Sequence, residues 1–411
     1  MTMSAMMSEP AQPRWKTPEL AIIAGCLIAL IGFGVRSGFG FFLEPMTADL
    51  GWDRQTYGLA MAIQNIAWGI GVPVAGIFAD RFGPTRVLIV GAVIYFAGII
   101  GMADATSPLG LHLTGGALTG LGVAFTAFSL ALAAMAKVVA RERRPMVLGL
   151  GMAATSLGQV IFSPITQGFI QSYGWNATLV LLAAAALAIM PLAWALPAGA
   201  VTDEPETAEQ TTGEAISEAM GHRGYVLLTV GFFVCGFHVT FIGIHLPAYV
   251  SDLGLAPYVA AASLSLIGLF NIIGSFAAGL FGTYCSKKNS LSVIYFLRAV
   301  TITALMFAPK TEVNVLLFAG AMGLLWLSTV PLTTAIVGQI FGVRYLATLF
   351  GFVFLSHQAG SFLGVWLGGY LYDVYGSYDA VWWAGVALGL FAAVVHLPID
   401  EKPLVRTAAP A

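Results

Sequence analysis

The sequence predicts an all-α membrane protein in which twelve transmembrane helices form two pseudo-symmetric six-helix bundles. Three observations support this fold class: the composition, a series of long apolar runs, and an internal repeat. Of the 411 residues, 58% are hydrophobic and only 9% are charged, whereas a soluble domain carries about 25% charged residues. The net charge of −2 offers no basic surface, so no nucleic-acid partner is expected. The three cysteines are too few for a disulfide scaffold or a zinc site, and we expect no metal or cofactor.

Twelve apolar runs are each long enough, at about 20 residues, to cross the hydrocarbon core as a helix. They cover residues 19–42, 56–79, 87–104, 110–136, 147–171, 177–197, 225–250, 258–283, 291–309, 313–340, 348–371 and 380–398. An acidic stretch rich in proline and threonine follows the sixth run and is predicted to be a linker. The predicted organisation is an N-terminal tail (1–18), a first bundle (19–198), the linker (199–224), a second bundle (225–398) and a C-terminal tail (399–411).

The distribution of lysine and arginine predicts the orientation in the membrane. Fourteen of the 18 basic residues fall on one side of the predicted bundles, and only Arg54 and Lys310 fall on the other. By the positive-inside rule, both tails and the linker are cytoplasmic. The first apolar run is long and has no small-residue cleavage site after it, which indicates a spanning helix rather than a signal peptide. We therefore expect a multi-pass protein of the cell inner (plasma) membrane.

The two halves repeat each other at a spacing of 202–203 residues. "TADLGW" (47–52) matches "VSDLGL" (250–255), and Gly71 and Gly76 align with Gly274 and Gly279. Glycines also let membrane helices pack closely, but packing alone does not explain a register kept across the whole half. Two six-span halves repeated in parallel are typical of secondary transporters, which bind their substrate near the midplane between the halves.

The stretch "GIFADRFGPTR" (76–86) joins the second and third runs. Asp80 is predicted at a helix end, where the next helix N-terminus and nearby arginines can hold a carboxylate. Gly83 and Pro84 are typical of a tight turn. The stretch resembles the signature of the major facilitator superfamily, which implies the major facilitator fold and a gating latch that favours one conformation. The latch positions are Gly76, Asp80, Arg81, Gly83 and Arg86. The second half has Thr283 where the acid would stand, so we expect an asymmetric latch.

Within that superfamily, "RSGFGFFLEP" (36–45), "AIQNIAWGIGVPVAGIFADRFGPTR" (62–86) and "FGFVFLSHQAGS" (350–361) resemble the monocarboxylate transporter and oxalate/formate antiporter group. Arg36 occupies the place of a functional lysine of the monocarboxylate transporters, and His357 that of a substrate-facing lysine of the antiporter. The resemblance implies transport of carboxylates. Asn271 and Ser275 stand where the group carries an Asp and an Arg in the eighth span. The fourth-span arginine of proton-coupled antiporters is replaced by Gly116, so the coupling mode stays open.

Arg36 is the most informative single residue. An arginine at the centre of a membrane helix costs about 2.5–3.5 kcal/mol on insertion scales, so it normally faces a cavity or a partner. Its helix face carries the small residues Gly25, Ala29, Gly32 and Gly40, which suits a groove. The alternative is that the side chain reaches outward to the membrane interface. We favour a role in binding the anionic group of a substrate, because a guanidinium holds a carboxylate through two parallel hydrogen bonds.

The other predicted substrate contacts are polar residues inside spans. His357 is predicted to carry a proton together with a carboxylate, because histidine as a residue type exchanges protons near neutral pH; alternatively, it is a neutral histidine bonded to a neighbouring helix. His238 could face the cavity from the second half, whereas His245 is expected at the rim. Three amides are predicted to line the cavity, although such groups also hold helices together: they are Gln64, Asn271 and Gln358. Arg298 is expected to have a structural partner or to reach the interface.

These observations predict a secondary active transporter that moves a small organic anion, a mono- or dicarboxylate, by alternating access. Transport would be proton-coupled or proceed by anion exchange, and we expect a monomer in the lipid bilayer. The alternative is a drug efflux carrier of the same fold, which would ask for an acidic residue inside the membrane. An enzyme is not expected, because the sequence has no nucleophile–base constellation, metal spacing or phosphate loop. A non-transporting receptor is a third possibility, although no long extramembrane loop is present to bind a partner protein.

Overall fold

The computed structural model describes residues 17–139, 143–196, 210–342 and 344–404. Within these residues every regular element is helical, and eleven continuous helical runs are long and apolar enough to cross a membrane. Residues 1–16 of the predicted N-terminal tail, 197–209 of the predicted linker and 405–411 of the predicted C-terminal tail lie outside the described residues.

One of the eleven runs contains two spans. Met146–Trp194 has 49 residues, and a continuous helix of that size would be about 73 Å long, more than twice the ~30 Å of the hydrocarbon core. The run is divided at Gly174, whose φ of +79° is not helical. A positive φ is readily adopted only by glycine, so Gly174 allows the chain to turn back. The described residues therefore form twelve spans, which confirms the predicted fold class.

Spans 1 to 12 are Pro18–Leu50, Arg54–Phe82, Pro84–Ala103, Pro108–Met135, 146–173, 175–194, Arg223–Asp252, Pro257–Tyr284, Lys287–Phe307, Glu312–Phe341, Leu346–Tyr375 and Asp379–His396. Capping and turn residues determine where these helices begin and end. Asp53 caps span 2 by accepting a hydrogen bond from the backbone N–H of Thr56, which satisfies a free helix-end donor. Gly83, with a φ of +83°, ends span 2, and Pro84 begins span 3, as the turn chemistry predicted.

A short helix, Thr212–Gly221, precedes span 7 and is called the linker helix below. It begins with a capping box in which Thr211 and Glu214 satisfy each other's backbone N–H groups, as is common at helix starts. These hydrogen bonds from Thr211 lower the pKa of Glu214. Ala215 and Ala219 are buried, so one face of the linker helix packs on the second half.

The two halves meet along spans 2 and 11 and along spans 5 and 8. Glycines permit this close approach. A Cβ atom on Gly58 of span 2 would lie 2.9 Å from the carbonyl oxygen of Val365 on span 11, and one on Gly268 of span 8 would lie 3.0 Å from that of Ser156 on span 5. Backbones can approach this closely in membrane helices only where side chains are small. The space between the halves is therefore bounded by these two seams.

Two opposite faces of the protein are named here after span 2, which begins at Arg54 and ends just after Asp80. At the Arg54 face, hydrogen bonds join the halves: Arg54 to Asp252, Asp373 to the first backbone N–H groups of span 2, and Ser251 to Glu44. Arg54 also donates to the hydroxyl of Tyr378 at this face, and other hydrogen bonds between the halves lie deeper, at the level of Asn65 and Ser156. The structure is thus closed at the Arg54 face.

Candidate functional site

The Arg36 side chain is directed into the protein. Its Nη2 donates a hydrogen bond of 2.7 Å to Oδ1 of Asn65, and its Cζ lies 4.5 Å from the centroid of the Trp68 ring. Asn65 is 1% exposed and lies eleven residues into span 2, about 16 Å from the start of that helix. Arg36 is therefore turned toward the interior of the first half rather than toward lipid headgroups.

Among the described residues, Arg36 forms no ion pair with an acidic side chain. Its Nε is buried and makes no hydrogen bond, and Asn65 is its hydrogen-bond acceptor within the described part of the chain. A guanidinium has five N–H donors, so most of them remain available. A buried donor without an acceptor is unfavourable by about 1–3 kcal/mol, more for a charged group, which favours recruitment of an acceptor.

Arg36 lines two small clefts. The first has a volume of about 20 Å³ and includes Phe33, Trp68 and Thr126. The second, of about 40 Å³, includes Gln159, Thr240 and Trp326 and lies between the halves. Among the described lining residues of both clefts, Arg36 is the only charged one. An anionic group that enters either cleft meets one positive charge in otherwise apolar or neutral surroundings.

Each cleft reaches a span whose helix is interrupted. Span 4 is broken between Phe125 and Phe128, and span 10 between Leu325 and Thr329. Thr126 and Ser328 occupy the two breaks and are 202 residues apart, which is the spacing of the repeat. Both hydroxyls bond back to the carbonyl four residues earlier. Broken helices at corresponding positions of two repeats are typical of transporter binding sites.

A chain of hydrogen bonds connects Arg36 to span 11 in the other half. Gln358 Nε2 donates to the backbone oxygen of Asn65 at 2.8 Å, and Gln358 Oε1 lies 3.0 Å from Nδ1 of His357. Because Oε1 can only accept, Nδ1 of His357 carries the proton in this arrangement. Phe354 stacks on the His357 ring and meets Trp68 edge-on. The structure therefore brings Arg36, Gln358 and His357 together through Asn65.

Asn65 is a site residue that the sequence analysis did not select. It is adjacent to Gln64, which was selected, but the side chains of consecutive residues point about 100° apart around a helix. Gln64 instead donates to the carbonyl of Gly115 on span 4, at 3.0 Å. The sequence did contain a signal that favoured Asn65: it lies three residues before Trp68, and residues three apart share a helix face.

Two other predicted contacts lie away from the clefts. His238 is buried and pairs with the carbonyl of Gly385 on span 12, at 2.8 Å. Asn271 donates to the Ser156 hydroxyl on span 5 and accepts from the backbone N–H of Leu327, both at 2.9 Å. Neither side chain lines the clefts that contain Arg36. Asn271 acts on the second cleft indirectly, because Leu327 belongs to the break in span 10.

The expectation that His245 is a rim residue is wrong. It is completely buried because both ring nitrogens are bonded inside the second half: Nδ1 to the hydroxyl of Tyr378 at 3.1 Å and Nε2 to the carbonyl of Val365 at 2.8 Å. The Tyr378 hydroxyl also accepts from Nη1 of Arg54 at 3.0 Å. Burial raises the pKa of Tyr378, so its hydroxyl keeps its proton.

The predicted latch is not assembled within the described residues. Asp80, Arg81 and Arg86 are exposed, and among the described residues none of them forms an ion pair. A Cβ atom on Gly76 would meet nothing within 4 Å. The latch residues lie at the face opposite the one that is closed here, so their role stays a prediction.

A family model and individual relatives both match most of the chain. The family model of the Major Facilitator Superfamily matches residues 25–327 and 264–410. Monocarboxylate transporter 13 of Bos taurus is 25% identical over 386 residues, which are 92% of this chain and 87% of the relative. The uncharacterized MFS-type transporter YcxA of Bacillus subtilis (strain 168) is 25% identical over 388 residues, or 89% of this chain and 91% of the relative.

Solved structures support the fold. A bacterial homolog of the human lysosomal transporter Spinster, in an inward-facing and unoccupied conformation, superimposes with a TM-score of 0.75 at 13% identity, covering 93% of this chain and 97% of that one. A D-xylose-proton symporter superimposes with a TM-score of 0.69 at 16% identity, covering 94% and 99%. At these identities the likeness concerns the fold alone.

Proposed function

Because the chain belongs to the Major Facilitator Superfamily and is a membrane transporter rather than an enzyme, we propose that it moves a small organic anion, a mono- or dicarboxylate, by alternating access. One observation carries the proposal: the Arg36 guanidinium, without an acidic partner among the described residues, lines both clefts and keeps donors available.

The chemistry of the clefts favours a carboxylate. In surroundings of low dielectric constant a positive charge attracts an anion more strongly than in water, and a planar guanidinium matches the two oxygens of a carboxylate. Phe33 and Trp68 provide apolar surface beside the charge, which suits a short carbon chain. In the conformation described here the clefts hold only about 20 and 40 Å³, against about 300–1,000 Å³ for ligand pockets, so they must widen before a carboxylate can enter.

The relatives agree with this substrate class. Several are monocarboxylate transporters, including monocarboxylate transporter 11 of Homo sapiens, which is 25% identical over 416 residues. We extend their substrate class to this chain as part of the proposal. His357 supports a proton as the coupling ion, because its ring is linked to Arg36 through Gln358 and Asn65. A counter-anion exchanged at Arg36 is the alternative coupling partner.

Alternating access would use the two faces differently. By the positive-inside rule the Arg54 face is external, so the closed Arg54 face corresponds to an inward-facing conformation. We propose that the outward-facing conformation forms when the contacts of Arg54 break and the latch around Asp80 assembles. The protein would work in the inner membrane, with both termini in the cytoplasm.

Uptake into proteoliposomes tests the proposal. Purified protein is reconstituted, and counterflow of radiolabelled pyruvate, lactate, oxalate and succinate is measured at two pH values. We expect uptake of at least one carboxylate, a weaker rate for Arg36→Lys, and a loss of about 100-fold or more for Arg36→Ala, because truncating one partner of a buried charge pair removes several kcal/mol. Arg223→Ala, at an exposed position, is the control. Normal carboxylate transport by folded Arg36→Ala would refute the role of Arg36.

A resistance assay in cells separates the anion carrier from a drug efflux carrier. A cationic drug would need an acidic side chain in the binding site, and the described lining of the two clefts contains none. Drug resistance upon overexpression that is insensitive to substitution of Arg36 would favour efflux.

A further inference from the structure

Span 9 contains a second arginine inside the membrane, and its surroundings differ from those of Arg36. Arg298 is 0% exposed and does not line either cleft that contains Arg36. Among the described residues it forms no ion pair. Its guanidinium instead donates to backbone carbonyls: Nε and Nη2 to Leu325 at 3.1 and 2.7 Å, and Nη2 also to Trp326.

These carbonyls belong to the break in span 10. The first half of that span ends at Leu325, and the last carbonyls of a helix have no partner within the helix. They also form the negative end of the helix dipole, which a cation stabilises. No water is available in the hydrocarbon core to bond such groups. Arg298 therefore satisfies the open end of the first half-helix from inside the protein.

The other side of the same break is held by span 8. Asn271 Oδ1 accepts a hydrogen bond of 2.9 Å from the backbone N–H of Leu327, and its Nδ2 donates to Ser156 on span 5 of the first half. The break is thus fixed by Arg298 at its carbonyls and by Asn271 at its amide. At the repeat spacing of 202 residues, the first half has Phe96 in place of Arg298, so span 3 has no arginine at the corresponding position.

Trp326 lies between these two contacts. Its backbone oxygen accepts from Arg298, and its side chain lines the cleft that Arg36 also lines. We propose that Arg298 is a positioning residue: it fixes the break in span 10 and thereby holds Trp326 in the wall of the anion cleft. This proposal rests on the proposed function, because Arg298 would maintain the shape of the cleft in which Arg36 binds the anion.

A spectroscopic experiment tests the position of Trp326 without any substrate. The protein is labelled with 5-fluorotryptophan, and the ¹⁹F resonance of Trp326 is assigned by its disappearance in Trp326→Phe. We expect Arg298→Lys to shift or broaden this resonance, because a single ammonium cannot replace both Nε and Nη2, which together bond the carbonyls of Leu325 and Trp326. Arg223→Lys, at an exposed position, should leave it unchanged. An unchanged Trp326 resonance in Arg298→Lys would overturn the proposal.

Transport kinetics supply the second readout. With the carboxylate that gives the highest uptake, we expect Arg298→Lys and Trp326→Phe each to raise KM roughly tenfold with a smaller change in Vmax, and the double variant to be no worse than either. Additive effects would indicate independent roles and overturn the proposal. An unchanged KM in Trp326→Phe would also overturn it, even where Arg298→Lys does not fold. If no carboxylate is transported but the resonance still shifts, the proposed function fails while the positioning role stands.

Discussion

Arg54 and Asp252 form a bidentate ion pair across the two halves of the protein. The guanidinium nitrogens Nη1 and Nη2 donate to the two carboxylate oxygens at 2.6 and 2.7 Å, and the Arg54 Cζ lies 3.7 Å from the centroid of the Tyr372 ring. Next to this pair, the Asp373 carboxylate accepts from the backbone N–H groups of Arg54 and Gln55. Span 2 is therefore fastened at its first turn to spans 7 and 11.

Breaking this ion pair should weaken the closure of the Arg54 face. The side chains are 12% and 27% exposed, so solvent screens part of the attraction, and we expect Asp252→Asn to remove about 1 kcal/mol. Spin labels at positions 50 and 255 of a cysteine-free variant report the separation of the halves. Asp252→Asn should increase the population of long distances several-fold, and the swap Arg54→Asp with Asp252→Arg should partly reverse this. An identical distance distribution in Asp252→Asn would contradict a gating role.

The Arg54–Asp252 ion pair could not be predicted from the sequence alone. Arg54 and Asp252 are 198 residues apart, and each is located at a span end, where charged residues are common. Nothing in the local pattern selects this pair from the other charges at the same face. Arg36 was identifiable because a charge inside an apolar run has few explanations in a membrane. The twelve spans were identifiable for a similar reason, since length and apolarity decide which segments cross the bilayer.

The break in span 10 has a local signal that the sequence analysis did not use. Pro331 follows the stretch "LLWLSTV" (324–330), and a proline has no backbone N–H to bond the carbonyl four residues earlier, here that of Leu327. Tertiary contacts from Arg298 and Asn271 bond other backbone groups of the break. By contrast, the choice between Gln64 and Asn65 required the rotation of span 2 about its axis, which is set by packing against spans 4 and 11.

Asn65→Asp should abolish anion transport while the protein stays folded. The Asn65 Oδ1 is 2.7 Å from Nη2 of Arg36, so a carboxylate of nearly the same shape would neutralise the guanidinium before a substrate reaches it. Asn65→Ser removes the amide without adding charge and should retain most of the transport. The measurement is proteoliposome uptake together with the thermal unfolding temperature of each variant. Equal uptake by Asn65→Asp and Asn65→Ser would show that the Arg36 charge is not what the substrate needs.

Gly76→Ala should impair transport without destabilising the conformation described here. A Cβ atom at Gly76 has nothing within 4 Å, so the thermal unfolding temperature should be unchanged. If the latch around Asp80 assembles in the opposite conformation, the added methyl group would obstruct the close approach of helices that small residues allow, and uptake should fall roughly tenfold. Gly279→Ala, the repeat equivalent in the second half with similarly open surroundings, is the matched control. Equal uptake by both variants would argue against a latch at Gly76.

His357→Gln should separate proton coupling from substrate binding. The histidine has a hydrogen-bond partner in Gln358 and no acidic partner among the described residues, and it is connected to Arg36 only through neutral amides. A glutamine of similar size keeps a donor for Gln358 but cannot bind a proton at neutral pH. If His357 carries the coupled proton, uptake driven by an inward pH gradient should fall at least tenfold in His357→Gln, while counterflow exchange at equal pH continues. Arg36→Lys, measured in parallel, should reduce both activities together, because it acts on anion binding itself. Gradient-driven uptake that persists fully in folded His357→Gln would exclude His357 as the proton site and leave anion exchange as the coupling mode.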